Sequence, residues 1–394
     1  MTQKETIDVL IAGSGPAGMS VALHLIQADP GWAERIVVIE KAVHPREKLC
    51  GGGVTQLGEQ VLSDLGLSFE PAHLPVLEIR LVCQHRMFAL RDDHAPVFRI
   101  VRRDEFDHWL VRCGEKQGIT VRQGEAVTDV IPCGDAVEVY TERTMFRAKM
   151  VVAADGSNSF VRRCLKLPCK SGKARTLEIL TPETGQTGAF SQGIAEYDFT
   201  SVFKGLQGYS WNFPCLVKGK PCMSRGIFDS RVCPERPRIH LKNAFQQSLT
   251  GQGLQMGDWQ LRGFPVHRFD RDGIFAIQRI LFAGDAAGAD PVFGEGISFA
   301  LAYGDAAAQE ILQAFASRNF NCSGYKKRVL THPVLQQLPA RAKMARLLYK
   351  LPQFPRLAGK IWDIIPFIFK MLVLYKPHYS PVRHPCMTRK SGSV

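Results

Sequence analysis

Apolar and polar residues alternate between two rhythms along this chain. Ile7-Asp8-Val9-Leu10-Ile11-Ala12 is a short, nearly continuous apolar run that stops at glycine, the pattern of a parallel strand buried on both faces. Helical spacing follows from about Pro16 to Ala28, and Arg35-Ile36-Val37-Val38-Ile39-Glu40 reads as a second strand. Met150 to Ala154 and Arg279 to Ala283 are strands of the same kind, ending in Asp155-Gly156 and Gly284-Asp285. Between about 171 and 267 the rhythm changes. Ser201-Val202-Phe203, Tyr209 to Pro214 and Arg225-Gly226-Ile227-Phe228-Asp229 predict antiparallel strands. From about Lys326 helices are expected, with Arg341, Lys343, Arg346, Lys350, Arg356, Lys360 and Lys370 interleaved among Leu347, Leu348, Phe354, Ile361, Trp362, Phe367 and Leu372.

The turn after the first strand, Gly13-Ser14-Gly15-Pro16-Ala17-Gly18, gives this pattern a chemical meaning. Gly13 permits a tight turn, Gly15 lets backbone approach a pyrophosphate, and Gly18 allows helix to pack closely on strand. Pro16 and Ala17 open the helix, whose first amides and positive dipole end face that phosphate. Glu40 arrives about 20 residues later, where an acid grips ribose hydroxyls. Strand, turn, helix, strand and acid in this order predict a dinucleotide site. The expected fold is α/β, α+β overall: a Rossmann-like domain with a parallel sheet, an inserted antiparallel-sheet substrate domain, and C-terminal helices. The first is discontinuous, from 1–75, 97–170 and 268–325; the insert takes 76–96 and 171–267, and the helical region and tail run from 326 to 394.

Composition narrows the partners. At 394 residues, 45% hydrophobic and 22% charged, the chain is of ordinary globular make-up. A formal charge of +13 favours an anion, whether a diphosphate cofactor, a phosphorylated lipid or a bilayer surface. No nucleic-acid module accompanies that charge, so nucleic acid is not expected. Eleven scattered cysteines form no Cys-x-x-Cys pair, which argues against a metal or disulfide scaffold and for reduced thiols in the cytoplasm. Met1 to Thr6 is polar and runs straight into a strand, so no signal peptide is expected. Ile361 to Tyr375, interrupted by Asp363, Pro366 and Lys370, is too short to span a bilayer. It is expected to cap a substrate tunnel or to lie peripherally on the inner face of a membrane.

The later fingerprints separate FAD from NAD. Asp155-Gly156 and Gly284-Asp285, each at a strand end, resemble those of the flavoprotein group that contains aromatic hydroxylases and geranylgeranyl reductases. The stretch Lys48-Leu49-Cys50-Gly51-Gly52-Gly53 is similar to that of geranylgeranyl reductases, as are Arg103-Asp104-Glu105-Phe106-Asp107 and Tyr209-Ser210-Trp211-Asn212-Phe213-Pro214. Pro291-Val292-Phe293-Gly294-Glu295-Gly296-Ile297 completes the set, and the resemblance covers about residues 7 to 310.

This resemblance implies bound FAD, with Asp285 holding a ribose and Asp155 and Gly156 shaping the groove near the pyrophosphate. Gly294, Gly296 and Ile297 would present amides to the negative charge of reduced flavin, and Arg103 and Lys48 would add cations. Cys50, beside Gly51, is the candidate proton donor or gate, and Tyr209, Trp211, Phe213 and Pro214 a wall for a hydrophobic chain. Glu59 and His108 read as structural.

The activity so implied is reduction of carbon-carbon double bonds in a prenyl or other hydrophobic lipid. With one dinucleotide fingerprint and no resident NADPH domain, electrons would come from NADPH docking transiently or from a donor protein such as ferredoxin. Two other readings stay open at this point. One is an aromatic monooxygenase or halogenase, from whose Trp-x-Trp-x-Ile-Pro motif the chain departs at Tyr209 and Phe213; the other is a flavin-bearing, membrane-associated redox sensor.

Overall fold

The computed structural model describes residues 3–92, 94–168, 171–185, 188–350 and 369–370. Val9, Leu10 and Ile11 have no solvent exposure, as a strand apolar on both faces requires, and strand Gln3–Ala12 lies inside the first sheet. It pairs in parallel with Ile36–Glu40 on one side and Thr144–Ala153 on the other, so that Ala12 stands opposite both Ile39 and Ala153. Thr120–Gln123 adds to the first neighbour and Ile280–Phe282 to the second, both in parallel. Ala276–Ile277 ends the sheet beyond Ile280–Phe282, while Val127–Cys133 and Ala136–Thr141 form an antiparallel extension.

Helix Pro16–Ala28 covers this sheet and packs closely on helix Ile297–Ser317. The Ser20 hydroxyl donates to the Leu301 carbonyl at 2.7 Å, a contact open only because Gly304 has no side chain: a Cβ there would lie 2.3 Å from Ser20. The helix therefore approaches as far as backbone permits, and its N-terminus is held where the first strand ends.

A second sheet takes seven strands in the order Arg262–His267, Lys173–Pro182, Lys220–Asp229, Gly208–Val217, Ile194–Asp198, Glu78–Cys83 and Arg86–Arg91. Every pairing in it is antiparallel except that of Ile194–Asp198 with Glu78–Cys83, so residues 78–91 join the sheet built mainly by 173–267. Ser201-Val202-Phe203, expected as a strand, instead lies in a short 3-10 helix, Thr200–Lys204. Two apolar residues are too few to decide between the two. The segment closes on itself through Val202 N–H to Phe199 O and Gly205 N–H to Val202 O, and ends at Gly205 with φ +102°. A third sheet joins Gly53–Thr55, Phe98–Val101 and His73–Val76.

Helix Gln337–Lys350 is fastened to the loop that precedes Ile297–Ser317 by a buried cation. Arg341, 1% exposed, donates to Asp290 at 2.9 Å and Glu295 at 2.8 Å, and Glu295 also accepts from Thr55 Oγ1 at 2.6 Å. Farther along, Phe369 packs on Phe293 and Tyr197 with ring centroids 4.6 and 5.7 Å apart. Of the stretch Ile361 to Tyr375 only residues 369 and 370 are described; Phe354, Arg356, Lys360, Ile361, Trp362, Phe367 and Leu372 lie outside the described residues. Among the described residues no helix is long and apolar enough to cross a membrane.

Replacing Arg341 with Met would leave Asp290 and Glu295 buried without their cation, a loss of about 3–5 kcal/mol. Urea unfolding should show it, and the triple variant Arg341→Met, Asp290→Asn, Glu295→Gln should recover most of it. A single variant as stable as the wild type would mean that the ion pairs do not fasten the helix.

Candidate active site

Three strand ends meet on one side of the first sheet and carry the glycine-bearing turns with them. Gly13 has φ +106°, and a Cβ on it would stand 2.5 Å from the Ala154 carbonyl oxygen, so only glycine lets these two loops lie together. Gly15 is different. A Cβ there would meet nothing closer than the guanidinium groups of Arg46 at 3.6 Å and Arg103 at 3.9 Å, which is ordinary contact. Among the described residues no atom excludes a methyl group from that position. The free space lies against the N-terminal amides of helix Pro16–Ala28, where a pyrophosphate would rest, so the cradle fits FAD.

The charged groups around this space are paired. Arg103 donates twice to Asp107 at 2.7 Å, and Arg46 bridges Asp107 at 3.2 Å and Glu40 at 3.4 Å. Lys48 lies 3.7 Å from Asp285, whose Oδ2 also accepts from Ser157 Oγ at 3.0 Å. Burial, then the nearby Arg103, lowers the Lys48 ammonium below its usual value. Burial alone would raise the Asp107 carboxyl, but Arg103, Arg46 and Lys48 overcome it and hold the group ionised. Arg46, Lys48 and Arg103 thus stand against Glu40, Asp107 and Asp285, and their charges balance. Grip on a diphosphate would come mainly from helix amides and open space, with the cations as fixed second partners.

Gly15, Pro16, Ala17, Lys48, Cys50, Gly51, Arg103, Gly156, Asp285, Gly294, Gly296 and Ile297 all line one cleft of about 1370 Å³, open at its mouth. Gly13, Gly18 and Gly284 stand behind it as packing positions. The Glu40 carboxylate is turned to the glycine turn, accepting from Ser14 N at 3.0 Å, Ser14 Oγ at 2.9 Å and Ala42 N at 3.1 Å. Asp155 does not line the cleft. Its Oδ2 accepts from the amides of Phe160 at 2.6 Å and Val161 at 3.0 Å, capping helix Phe160–Cys164, so it shapes the groove only through the backbone it fixes.

The other arm of the cleft is aromatic. Tyr209, Trp211 and Phe213 project to one side of strand Gly208–Val217 and line it, whereas Pro214 does not: the two-residue period of a strand puts Pro214 on the opposite face. Tyr197 packs at a tilt against Tyr209 and edge-on against Phe213, with ring centroids 5.0 and 4.9 Å apart, and the Tyr209 hydroxyl donates to the Phe293 carbonyl. Cys50 stands between the two arms, for Lys48 reaches Asp285 while a Cβ on Gly51 would meet Phe213 at 3.2 Å. The Gly52 amide donates to Cys50 Sγ at 3.4 Å.

Several residues of the site escape a reading of the motifs. Arg46, just outside the Lys48 to Gly53 stretch, does not line the cleft but stands behind the cradle, bridging Glu40 and Asp107. Tyr197 and Phe369 come from segments far apart in the chain and outside every motif. Glu178 is the least expected, a carboxyl 2% exposed on strand Lys173–Pro182. Burial pushes its pKa from the ordinary 4.5 up to about 7, against the lowering pull of Arg102 and of a hydrogen bond from Ser224.

Two outcomes are expected. Gly15→Ala should leave apo-protein stability within about 1 kcal/mol of the wild type yet weaken FAD binding at least about tenfold, measured by fluorescence titration; unchanged affinity would remove Gly15 from the cradle. For Glu178 the folded pKa lies above the unfolded one, so the group costs nothing at low pH. Its penalty grows as pH rises from about 4.5 to about 7 and reaches about 3 kcal/mol. Glu178→Gln should therefore unfold at higher temperature than the wild type at about pH 8 and at a similar temperature at about pH 4. Equal differences at both would count against the shift.

Comparison with known proteins agrees with this geometry. The profile of a family described as FAD binding domain matches residues 6–308. A digeranylgeranylglycerophospholipid reductase of Thermoplasma acidophilum is 28% identical over 337 residues, covering 80% of this chain and 81% of the relative. Among solved structures, a geranylgeranyl bacteriochlorophyll reductase-like protein from Thermoplasma acidophilum superposes with a TM-score of 0.76 at 22% identity, over 92% of each chain. The myxobacterial chondrochloren halogenase, described as a variant of the FAD-dependent halogenases, shares the fold with a TM-score of 0.65 at 20% identity, over 85% of this chain and 82% of that one. Glycine cradle, strand-end aspartates and the family match over most of the chain lead to one conclusion: this chain belongs to the family described as FAD binding domain and is an FAD-dependent oxidoreductase.

Proposed function

We propose that this enzyme saturates isolated carbon-carbon double bonds in a prenyl chain or a related hydrophobic lipid. The observation that carries the reading is that the glycine cradle and the aromatic arm form a single cleft, with Cys50 between them. FAD held in the cradle would supply hydride. The protein must do the rest. An isolated alkene carries no polar handle, so it is positioned by shape and dispersion against Tyr197, Tyr209, Trp211 and Phe213, which also exclude water. The N-terminus of the long helix Ile297–Ser317 faces the cleft, at a place suited to negative charge, whereas the Gly294 amide donates to the Asp290 carbonyl at 3.2 Å. A proton must reach the second carbon, and the Cys50 thiol is the nearest candidate donor at the junction.

The reading is supported by the named reductases among the relatives and by two departures from the halogenase motif, Tyr209 and Phe213. A monooxygenase or halogenase of this fold would need oxygen. Reduced enzyme under anaerobic conditions should be reoxidised by geranylgeranyl-bearing lipids, with two hydrogen atoms gained per bond by mass. Cys50→Ala should retain FAD and slow that single turnover about 10²–10⁴-fold. Reoxidation by oxygen alone, with no alkene accepted, would sink the reductase reading; an unaltered Cys50→Ala rate would remove the thiol from the mechanism.

A further inference from the structure

Glu178 belongs to the walls of two cavities at once. One is the flavin-substrate cleft; the other is a separate pocket of about 670 Å³, open to solvent and lined by Leu49, Arg102, Asp258, Gln260 and Arg262. Asp258 and Gln260 in that outer pocket are exposed, while Glu178 itself is buried. Glu178, with Leu49, therefore stands between this outer pocket and the inner part of the cleft.

Hydrogen bonding gives the two carboxyl oxygens different surroundings. Trp211 Nε1–H can only donate, and it donates to Ser224 Oγ at 3.1 Å. Ser224 in turn donates to Glu178 Oε1 at 3.0 Å. Oε1 is thus an acceptor, and an acidic proton belongs on Oε2. That oxygen is buried and has no hydrogen-bond partner among the described residues. A carboxylate oxygen left so would be costly, whereas a protonated one is a donor waiting for an acceptor.

The groups facing Glu178 come from every neighbouring element. Arg102 NH1, before helix Arg103–Lys116, is 4.0 Å away, and Arg262, on strand Arg262–His267, adds a second cation. Cys215, from strand Gly208–Val217, is close enough for its own pKa to be raised in part by the carboxyl, and the Cys50 backbone amide approaches from the cleft side. Both arginines favour ionisation and burial opposes it, which leaves the group poised near neutrality.

We propose that Glu178 is the proton relay of this enzyme, taking protons from the outer pocket and delivering them to the cleft beside Cys50. The proposal rests on the alkene-reductase reading. FAD held in the cradle would supply the hydride that one alkene carbon takes up. The Glu178 O–H bond breaks and a new bond to hydrogen forms, either at the second carbon or at a Cys50 sulfur that has just given its own proton to that carbon. The remaining carboxylate is reprotonated from water in the outer pocket, between Arg102 and Arg262, so each saturated bond consumes one hydride and one proton.

Infrared spectroscopy of the FAD-loaded full chain tests the first half without turnover. A protonated-carboxyl band, shifted in heavy water, should titrate with a midpoint near 7 and vanish in Glu178→Gln. Anaerobic stopped-flow reoxidation by a geranylgeranyl-bearing lipid tests the second. Glu178→Gln should lose about 10²–10⁴-fold in rate and lose the wild-type decline above neutral pH, Glu178→Asp should keep part of both, and FAD affinity should not change. A Glu178→Gln variant with wild-type rate and pH profile overturns the relay while leaving the reductase reading intact, as does a carboxyl already ionised at about pH 5. If no alkene reoxidises even the wild type, the reductase reading fails and the relay falls with it, whatever the infrared band shows.

Discussion

Parallel pairing of Gln3–Ala12 with Thr144–Ala153 is the constraint on which the site depends. Ala12 and Ala153 lie opposite one another, so the loops that follow leave the sheet at one level, and Ile280–Phe282, paired to the same strand, brings Gly284 and Asp285 to that level too. On its other side Gln3–Ala12 pairs with Ile36–Glu40, and the chain's order reverses about this strand. Ligands in open α/β sheets sit at such a reversal because the two flanking loops turn away from each other and leave a crevice. A slip of one residue would exchange the buried and facing sides of the strand and part Gly13 from Ala154.

Much of this was legible in sequence because it is local. Helix Pro16–Ala28 has the bounds its pattern predicts, since proline, glycine and apolar spacing all act within a few residues. Tyr209, Trp211 and Phe213 share a face through the period of a strand, the same rule that sends Pro214 to the other side. Asp155 shows the limit. Its strand-end position suggests a groove residue, but the amides of Phe160 and Val161 lie nearer in the chain and claim the carboxylate. Glu178 could not be found by pattern at all: one acid in Thr176-Leu177-Glu178-Ile179-Leu180 reads as the solvent side of a strand. Only the strands carrying Trp211 and Ser224 bury it.

Electrostatics in the cleft follow the same division between local and long-range order. Arg103 and Asp107 pair one helical turn apart and can be anticipated, while Arg46 and Lys48 reach their acids across the fold. The overall charge of +13 says little about this region, where cations and carboxylates are matched. Selectivity for an anion there rests on geometry rather than on net charge.

The discontinuity of the cradle has a consequence for biogenesis. Its first turn is made by residues 13–18 and its last by Gly284–Ala286, so a ribosome has assembled most of the chain before the pieces can meet. The emerging N-terminal strand waits with its apolar faces unsatisfied, a state prone to aggregate. Pairing with Ile36–Glu40 can form early, but the complete cofactor site must wait for Gly284–Ala286 to leave the exit tunnel.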